Sequence, residues 1–215
     1  GKICPVLCGA AAKNIGVSQL LDAIVKYLPS PESRKVQGRH PATNEPVERK
    51  VGDPFSAQVF KTNADPFVGR LSFIRVFSGA LKPDGVLYNS TRDKSERIGG
   101  IFTLRGKTQD SMTVANAGDI VVVAKLQETV TGDTLCDKDK PVVFEPIAYP
   151  KPMFTMSAEA KNKGDEDKLG SALARMQDED ATFGVEKNTE TLQLLVSGLS
   201  DMHLDVITER MKRKF

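Results

Sequence analysis

The stretch Val196-Ser-Gly-Leu-Ser-Asp-Met-His-Leu-Asp-Val-Ile-Thr-Glu-Arg-Met-Lys-Arg-Lys-Phe215 carries the most specific structural pattern in this chain of 215 residues. It continues an apolar run that starts at residue 191 and predicts a strand, which Gly198 breaks. Ser200 is a favoured N-cap residue, so a helix is predicted to begin there and to reach the last residue. The stretch therefore predicts a strand, a tight turn and a helix.

The residues before this stretch complete a recognisable order of elements. A strand is predicted over 153–159, a helix from about residue 165, and a hairpin that joins 184–187 to 191–196. The apolar face of that helix comprises Leu169, Ala172, Leu173 and Met176. The order β-α-β-β-α is typical of a ferredoxin-like, split-βαβ sandwich that lacks its last strand, which leaves one strand edge unpaired.

Further upstream, residues 51–147 consist of short β segments separated by turns. The predicted strands are 55–61, 69–77, 86–89, 97–104, 120–124 and 142–144. In the turn Lys82-Pro83-Asp84-Gly85, Pro83 presets φ and Gly85 is predicted to adopt a positive φ. Many short strands with frequent turns favour a small, closed or nearly closed β-barrel.

The first residues predict a strand over 3–8, a loop over 9–14 and a helix that Pro29 and Pro31 end. The apolar face of this helix comprises Val17, Leu20, Leu21, Ile24, Val25 and Leu28. One strand and one helix cannot bury their own apolar faces, so we expect this unit to belong to a larger α/β domain. The proline-rich interval 29–50 predicts an extended linker, with an ordinary long loop as the alternative. The domain prediction is thus a strand-loop-helix remnant (1–30), a linker (31–50), a β-barrel (51–147) and an α+β sandwich (148–215).

Composition and charge exclude few functions. The chain has 30 basic and 28 acidic residues and a net charge of +2, which does not by itself indicate nucleic-acid binding. The cysteines, Cys4, Cys8 and Cys136, lack partners at zinc-ligand spacing, so we expect reduced thiols and no metal. We expect a cytoplasmic protein with no membrane segment and no signal peptide.

Strings of residues along the whole chain are similar to those of one family. They are Pro5-Val6-Leu7-Cys8-Gly9-Ala10-Ala11-Ala12-Lys13-Asn14, Asp65-Pro66-Phe67-Val68-Gly69-Arg70-Leu71, Arg75-Val76-Phe77-Ser78-Gly79, Thr131-Gly132-Asp133-Thr134-Leu135-Cys136-Asp137, Lys168-Leu169-Gly170-Ser171-Ala172-Leu173 and Glu179-Asp180-Ala181-Thr182-Phe183, together with residues 20–31, 117–120 and 197–215. These strings resemble elongation factor G, the ribosomal translocase, and its paralogues among translational GTPases. The resemblance implies the end of a G domain, the second domain and most of the third domain.

The sequence departs from the family at identifiable positions. Ala10 stands where the guanine-binding loop usually has serine. Residues 105–109 and 199–202 also differ from the common bacterial forms. A paralogue of the housekeeping factor is therefore an alternative to the translocase itself.

The resemblance implies a role in ribosome docking and interdomain coupling within a GTPase that moves tRNA and mRNA during protein synthesis. Ala10, Ala11 and Ala12 correspond to a remnant of its guanine-binding loop. GTP and Mg²⁺ are expected in the parent protein and no cofactor in this chain, because no Gly-x-x-x-x-Gly-Lys-Ser/Thr phosphate loop occurs here. We assign no catalytic residue and expect no enzymatic activity from this chain alone. The implied partners are small-subunit rRNA, ribosomal proteins, and the missing G domain and later domains.

Basic residues provide the candidate ribosome contacts. In the predicted barrel these are Arg92, Lys94, Arg97, Arg105 and Lys107. A second cluster, Arg210, Lys212, Arg213 and Lys214, ends the last helix, where the helix dipole alone favours cations. Phosphate contact and dipole stabilisation both stay open for this cluster.

Three further features have plain structural interpretations. Asn162-Lys163-Gly164-Asp165 spells a guanine-specificity motif, but it follows the Ala10 loop in the wrong order and is interpreted as a turn and helix cap. His203 is expected to pack or to form hydrogen bonds, because no motif supplies a nucleophile beside it. The acids Asp178-Glu179-Asp180 are expected on a solvated helix end.

Other functions also fit the pattern. A standalone RNA- or protein-binding β-barrel module would need no G-domain remnant, so residues 9–28 count against it. A ribosome-protection or termination paralogue would differ mainly in domains that this sequence does not include.

Overall fold

The computed structural model describes residues 2–65, 68–106 and 108–215. The chain divides into a first unit, residues 1–34, and a second unit, residues 35–215. The α-helices are α1 (Val17–Tyr27), α2 (Glu166–Glu179) and α3 (Asp201–Lys214). The strands are β1 (Val36–Arg39), β2 (Pro46–Arg49), β3 (Ser56–Asp65), β4 (Gly69–Ser78), β5 (Ala80–Leu81), β6 (Val86–Asn89), β7 (Lys94–Arg97), β8 (Ile101–Arg105), β9 (Thr108–Met112), β10 (Ala115–Asn116), β11 (Ile120–Ala124), β12 (Thr134–Cys136), β13 (Val143–Phe144), β14 (Phe154–Ser157), β15 (Gly184–Lys187) and β16 (Leu194–Gly198).

The first unit is built around α1, which ends at Tyr27, ahead of Pro29 and Pro31, as predicted. Short 3-10 turns lie at Ala11–Lys13 and Pro31–Ser33, and no residue of α1 is buried. The predicted strand over residues 3–8 is not formed. A strand needs a hydrogen-bonded neighbour, and the described residues of this unit form no strand that could pair with it.

The barrel of the second unit is an antiparallel sheet of eight strands in the order β7-β6-β12-β3-β4-β11-β8-β9. Strands next to both ends of this order contribute to one apolar core, since Leu87 of β6 and Ile101 of β8 belong to the same cluster as Ile74 of β4. The sheet therefore wraps around its core, as the predicted barrel requires. The observed bounds of β6 and β11 are those predicted from the sequence.

The turn before β6 forms as predicted, but its left-handed residue is different. Asp84 has a φ of 57°, whereas Gly85 is not among the positive-φ residues. The prediction for Gly85 is therefore wrong. A short polar side chain tolerates the left-handed region, so aspartate takes the position that was expected of glycine.

The interval predicted as an extended linker contains a β-hairpin instead. β1 and β2 pair with each other, and β1 also pairs with β13. The hairpin packs on a small core in which the Phe77 and Phe144 rings meet edge to face at 5.0 Å. Val36 and Val47 contribute to this core, and their burial stabilises the hairpin. The proline content of the interval, on which the linker prediction was based, gives no sign of this burial.

The same core buries a cysteine. Cys136 is 1% exposed, and burial raises the pKa of its thiol. Cys4 and Cys8 are exposed, and all the cysteines are free thiols.

The third part of the chain has the predicted β-α-β-β-α order. Its sheet runs β14-β16-β15, with β14 and β15 both antiparallel to the central β16. The predicted apolar face of α2 is in place: Ala172, Leu173 and Met176 are buried. Ser200 caps α3 as predicted, since its hydroxyl oxygen accepts the His203 amide at 3.2 Å. The predicted fold class, a β-barrel followed by a split-βαβ sandwich without its last strand, is confirmed.

We expect Gly38→Ala to lower the free energy of unfolding by about 1–3 kcal/mol, the range for overpacking a filled site. A Cβ atom at Gly38 would lie 2.6 Å from Val142 Cγ2 and 2.7 Å from the Val143 carbonyl oxygen. Gly99→Ala is the control, because a Cβ atom there meets nothing within 4 Å. Urea unfolding measures the free energy of unfolding of both variants. Equal values would contradict the close packing of Gly38 against Val142 and Val143.

Candidate functional site

A polar site with a buried ion pair lies where the barrel meets the third part of the chain. We call it the junction and define it by Ala64, Arg70, Asp178, Glu179 and Lys214. These residues come from β3, β4, α2 and α3. Asp178, Glu179 and Asp180 were expected on a solvated helix end. Their side chains are only 30%, 7% and 27% exposed and all are paired, so that expectation is wrong.

Glu179 receives hydrogen bonds from both sides of the junction. Its Oε1 atom accepts the Ala64 amide at 2.7 Å and forms an ion pair with Lys214 Nζ. Lys214 also lies 3.4 Å from both Asn63 Oδ1 and the Ala64 carbonyl oxygen. A buried carboxylate is costly unless it is paired and hydrogen-bonded, and these contacts meet that condition. They fix the ends of α2 and α3 on β3.

A second ion pair lies beside the first. Arg70 Nη2 pairs with Asp178 Oδ1, and both side chains are largely buried, with 23% and 30% exposure. Arg70 Nη1 donates to the carbonyl oxygens of Gln127 at 3.0 Å and Thr129 at 3.4 Å. The guanidinium therefore joins α2 to β4 and to the loop after β11, a planar arrangement that lysine cannot reproduce.

Asp180 makes a different set of contacts, within the third part of the chain. Its Oδ1 atom accepts the Thr182 amide at 2.8 Å and the Thr182 hydroxyl at 2.6 Å. Its Oδ2 atom lies 3.1 Å from His203 Nε2. His203 Nδ1 accepts the Leu199 amide at 3.1 Å, so the ring proton belongs on Nε2, which donates to Asp180. His203 thus has the hydrogen-bonding role predicted for it.

Burial alone would raise the pKa of Asp180. The hydrogen bonds from Thr182 and His203 outweigh that effect and hold the pKa below its ordinary value. The carboxylate is therefore stabilised in the folded chain.

The predicted RNA-contact residues of the barrel have different surroundings. Arg92 Nε donates to Asp133 Oδ2 at 2.7 Å, and Asp133 is only 5% exposed. The same oxygen accepts from Asn89 Nδ2 at 2.9 Å and from the Val130 amide at 2.9 Å. Arg92 consequently balances a buried acid, which gives it a structural task besides any contact with RNA.

Lys94 and Arg97 begin and end β7 and are exposed. Arg105 ends β8 and lies 3.4 Å from Asp110 of β9 in an exposed pair. Lys107 lies outside the described residues. Because β7 and β9 stand at opposite ends of the strand order, strand pairing does not join these cations into one patch.

The loop at Ala10, Ala11 and Ala12 is compact and exposed. Hydrogen bonds between Ala10 and Ile15, at 3.0 and 3.2 Å, close it, and Ala11 and Ala12 open the 3-10 turn. The loop also requires Gly16, which has a φ of 77° and whose added Cβ would lie 2.5 Å from the Cys8 carbonyl oxygen.

The Asn162-Lys163-Gly164-Asp165 string forms a 3-10 turn and the start of α2, as interpreted from the sequence. Asp165 stands at the N-cap position, but its side chain makes no capping hydrogen bond, so the predicted turn is formed and the predicted capping role is wrong. It contacts Lys168 Nζ at 2.9 Å and Asn162 Nδ2 at 3.3 Å instead. The hydrogen bond from Lys168 is the main reason that the pKa of Asp165 is lowered.

The described residues contain neither a candidate metal site nor a candidate membrane-spanning helix. In residues 2–65, 68–106 and 108–215, no cluster of His, Cys, Asp or Glu side chains could hold a metal ion. No helix in the same ranges is long and apolar enough to span a membrane.

The sequence contained one faint signal for the junction. Acidic residues at the C-terminal end of a helix, such as Asp178 and Glu179, oppose the helix dipole and therefore require a compensating partner. The partner could not be identified, because Ala64 and Glu179 are 115 residues apart in the chain.

Comparison with known proteins agrees with this architecture. Residues 54–138 match the family model for elongation factor G domain 2, and residues 149–215 match the model for elongation factor G domain III. A solved relative is the crystal structure of ttk003000868 from Thermus thermophilus, which is 30% identical with a TM-score of 0.75. The similarity covers 94% of this chain and 28% of that one.

A barrel joined to an incomplete split-βαβ sandwich, with both parts matching domains of one factor, defines a translation elongation factor-like protein. The two matches together extend over well more than half of the chain, which belongs to the elongation factor G family. The family predicted from the sequence strings is thereby confirmed.

We expect Lys214→Met to destabilise the chain by about 2 kcal/mol, because it leaves the buried Glu179 carboxylate with too few partners. Lys212→Met is the matched control on the same helix, since Lys212 pairs with Glu209 at 2.8 Å while both side chains are well exposed. Urea unfolding compares the two variants. Equal stabilities would contradict the structural role of the junction ion pair.

We also expect Asp180→Asn to change the pH dependence of stability. A lowered pKa means that the Asp180 carboxylate stabilises the fold fully above its ordinary pKa of 3.8, and that this contribution is lost as the pH falls through the lowered value. The variant should be less stable at neutral pH, and the difference from the parent chain should shrink below about pH 4. Unfolding curves at several pH values measure this, and a difference independent of pH would contradict it.

Proposed function

We propose that this chain provides ribosome docking and interdomain coupling in a longer translational GTPase that promotes tRNA and mRNA translocation. The chain matches 28% of the Thermus protein, and we assign GTP hydrolysis and translocation to the longer protein as a whole. The proposed domains are a G-domain remnant (1–30), a barrel (51–147) and a third domain (148–215), and the interval 31–50 between the first two contains the β1–β2 hairpin rather than an extended linker.

The junction is the observation that carries the coupling role. Glu179 and Lys214 connect two helices of the third domain to β3, and Arg70 connects β4 to α2. A force applied to either domain is transmitted through ion pairs with low exposure rather than through a flexible tether. Such a connection suits a protein whose parts must move together.

The docking role rests on exposed cations of the barrel. Lys94 and Arg97 project from a strand at the end of the barrel sheet, and β7 pairs there with β6. Phosphate contacts by such residues position a protein on RNA without reading its sequence. The proposed partners are accordingly small-subunit rRNA and the ribosomal proteins beside it, in the cytoplasm.

For GTP, the residues present offer the guanine base the amides of Ala11 and Ala12, whereas the Ala10 amide already donates to the Ile15 carbonyl oxygen. The first amides of the turn at Ala11–Lys13 have no acceptor within the turn, and its alanine side chains leave the approach open. No phosphate loop occurs in the sequence. Phosphate and Mg²⁺ binding, and hydrolysis, are therefore assigned to a G domain outside these residues.

We expect the chain to compete with a full-length elongation factor G for ribosomes at low salt and to lose this ability as salt rises. The double variant Lys94→Gln/Arg97→Gln should compete less well, because it removes exposed positive charges. Lys187→Gln is the control, since Lys187 is an exposed cation on β15 of the third domain. Sedimentation of labelled factor with ribosomes measures the competition, and its absence at every salt concentration would contradict the docking role.

A further inference from the structure

An open cleft of about 780 Å³ lies beside the junction, between the barrel and the third domain. We call it the junction cleft. Among the residues that the structure describes, Lys61, Thr62, Asn63, Glu179, Arg210, Arg213 and Lys214 line it. We propose that the junction cleft binds the phosphate backbone of RNA through Lys61, Arg210 and Arg213. This inference rests on the proposed ribosome docking, and it adds a second RNA contact to the one proposed for Lys94 and Arg97.

The charges of the cleft do not balance. Glu179 is its acidic residue, and Lys214 already neutralises that carboxylate. Among the described residues, neither Arg210 nor Arg213 has a carboxylate within ion-pair distance. Lys61 lies over the Phe73 ring at 5.3 Å, a contact that leaves its charge uncompensated. Positive groups from β3 and α3 therefore face the same space.

Helix-dipole stabilisation does not explain this arrangement. The dipole favours cations anywhere around the last turn of a helix and does not select one side. In α3 the selection is clear, because Arg210 and Arg213 line the cleft, whereas Lys212 is outside it and pairs with Glu209. Residues three apart share a helix face, so the arginines act from one side.

The chemistry of the lining identifies the ligand class. Pockets for small organic molecules are lined mainly by apolar and aromatic side chains, whereas every described residue that lines this cleft is polar or charged. Arginine is the preferred partner of phosphate, because its planar guanidinium can donate two parallel hydrogen bonds. An open, cationic cleft suits a backbone that continues beyond it on both sides.

The position of the cleft gives binding a structural consequence. Lys61 belongs to the barrel and the arginines to the third domain, so one RNA strand in the cleft contacts both. A ligand stabilises the arrangement that it binds best. RNA binding and the docked junction should therefore support each other, which ties ribosome contact to interdomain geometry.

The test measures binding of a fluorescein-labelled RNA hairpin to the full chain by anisotropy over a series of KCl concentrations. We expect Arg210→Gln/Arg213→Gln to weaken binding at least about tenfold, from the strength of charge-assisted hydrogen bonds. It should also reduce the slope of log affinity against log salt by about 1.5–2, for two lost phosphate contacts. Lys212→Gln is the control and should leave both quantities near the values of the parent chain.

Thermal unfolding of the same proteins checks that the exposed substitutions leave the fold intact. An unchanged hairpin affinity and salt slope in the double variant would overturn the inference. Tripolyphosphate tests whether the cleft binds small phosphate anions instead of RNA. If it binds at the arginines and the RNA hairpin does not displace it, the cleft is a small-anion site and the inference is wrong. Ribosome competition by the same variants separates the two proposals, because docking that survives the loss of Arg210 and Arg213 but not of Lys94 and Arg97 leaves the proposed function standing without the cleft.

Discussion

The burial of one carboxylate determines how the barrel and the third domain are joined. Glu179 is withdrawn from water at the end of α2, and a charge in that position must be paired and hydrogen-bonded or it destabilises the fold. Lys214 and the Ala64 amide satisfy it, and together they bring the ends of two helices onto β3. Replacing such a pair by apolar residues can be neutral for stability, and we therefore infer that the pair serves to specify one geometry.

The neighbouring features follow from that geometry. With α2 fixed on β3, Asp178 is within reach of Arg70, whose guanidinium also holds carbonyl oxygens of the loop after β11. With the end of α3 fixed by Lys214, the preceding arginines line the junction cleft. The junction thus holds the end of α3 so that Arg210 and Arg213 line the adjacent cleft, and the proposed coupling and the proposed phosphate contact would share one structural support.

Residues 35–215 form one unit partly because the hairpin of β1 and β2 packs on a core that it shares with strands of the barrel. Sequence reasoning assigned this interval to a linker, since prolines and charges outnumber its aliphatic residues. The hairpin depends on side chains far away in the sequence, such as Phe77 and Phe144, and on the absence of a Cβ at Gly38. The predicted strand over residues 3–8 failed for the opposite reason, because no described neighbour pairs with it.

The sequence by itself determined the local elements and their order. The apolar period of α2, the Ser200 cap and the bounds of β6 and β11 depend on residues near one another in the chain, which is why pattern and capping rules identified them. Short sequence strings likewise identified the family. Tertiary structure alone decided that Glu179 is buried, that Lys214 pairs with it while Lys212 does not, and that Arg92 balances Asp133. The energy of a charge depends on its distance from water and from opposite charges, and both distances are set by packing between segments that lie far apart in sequence.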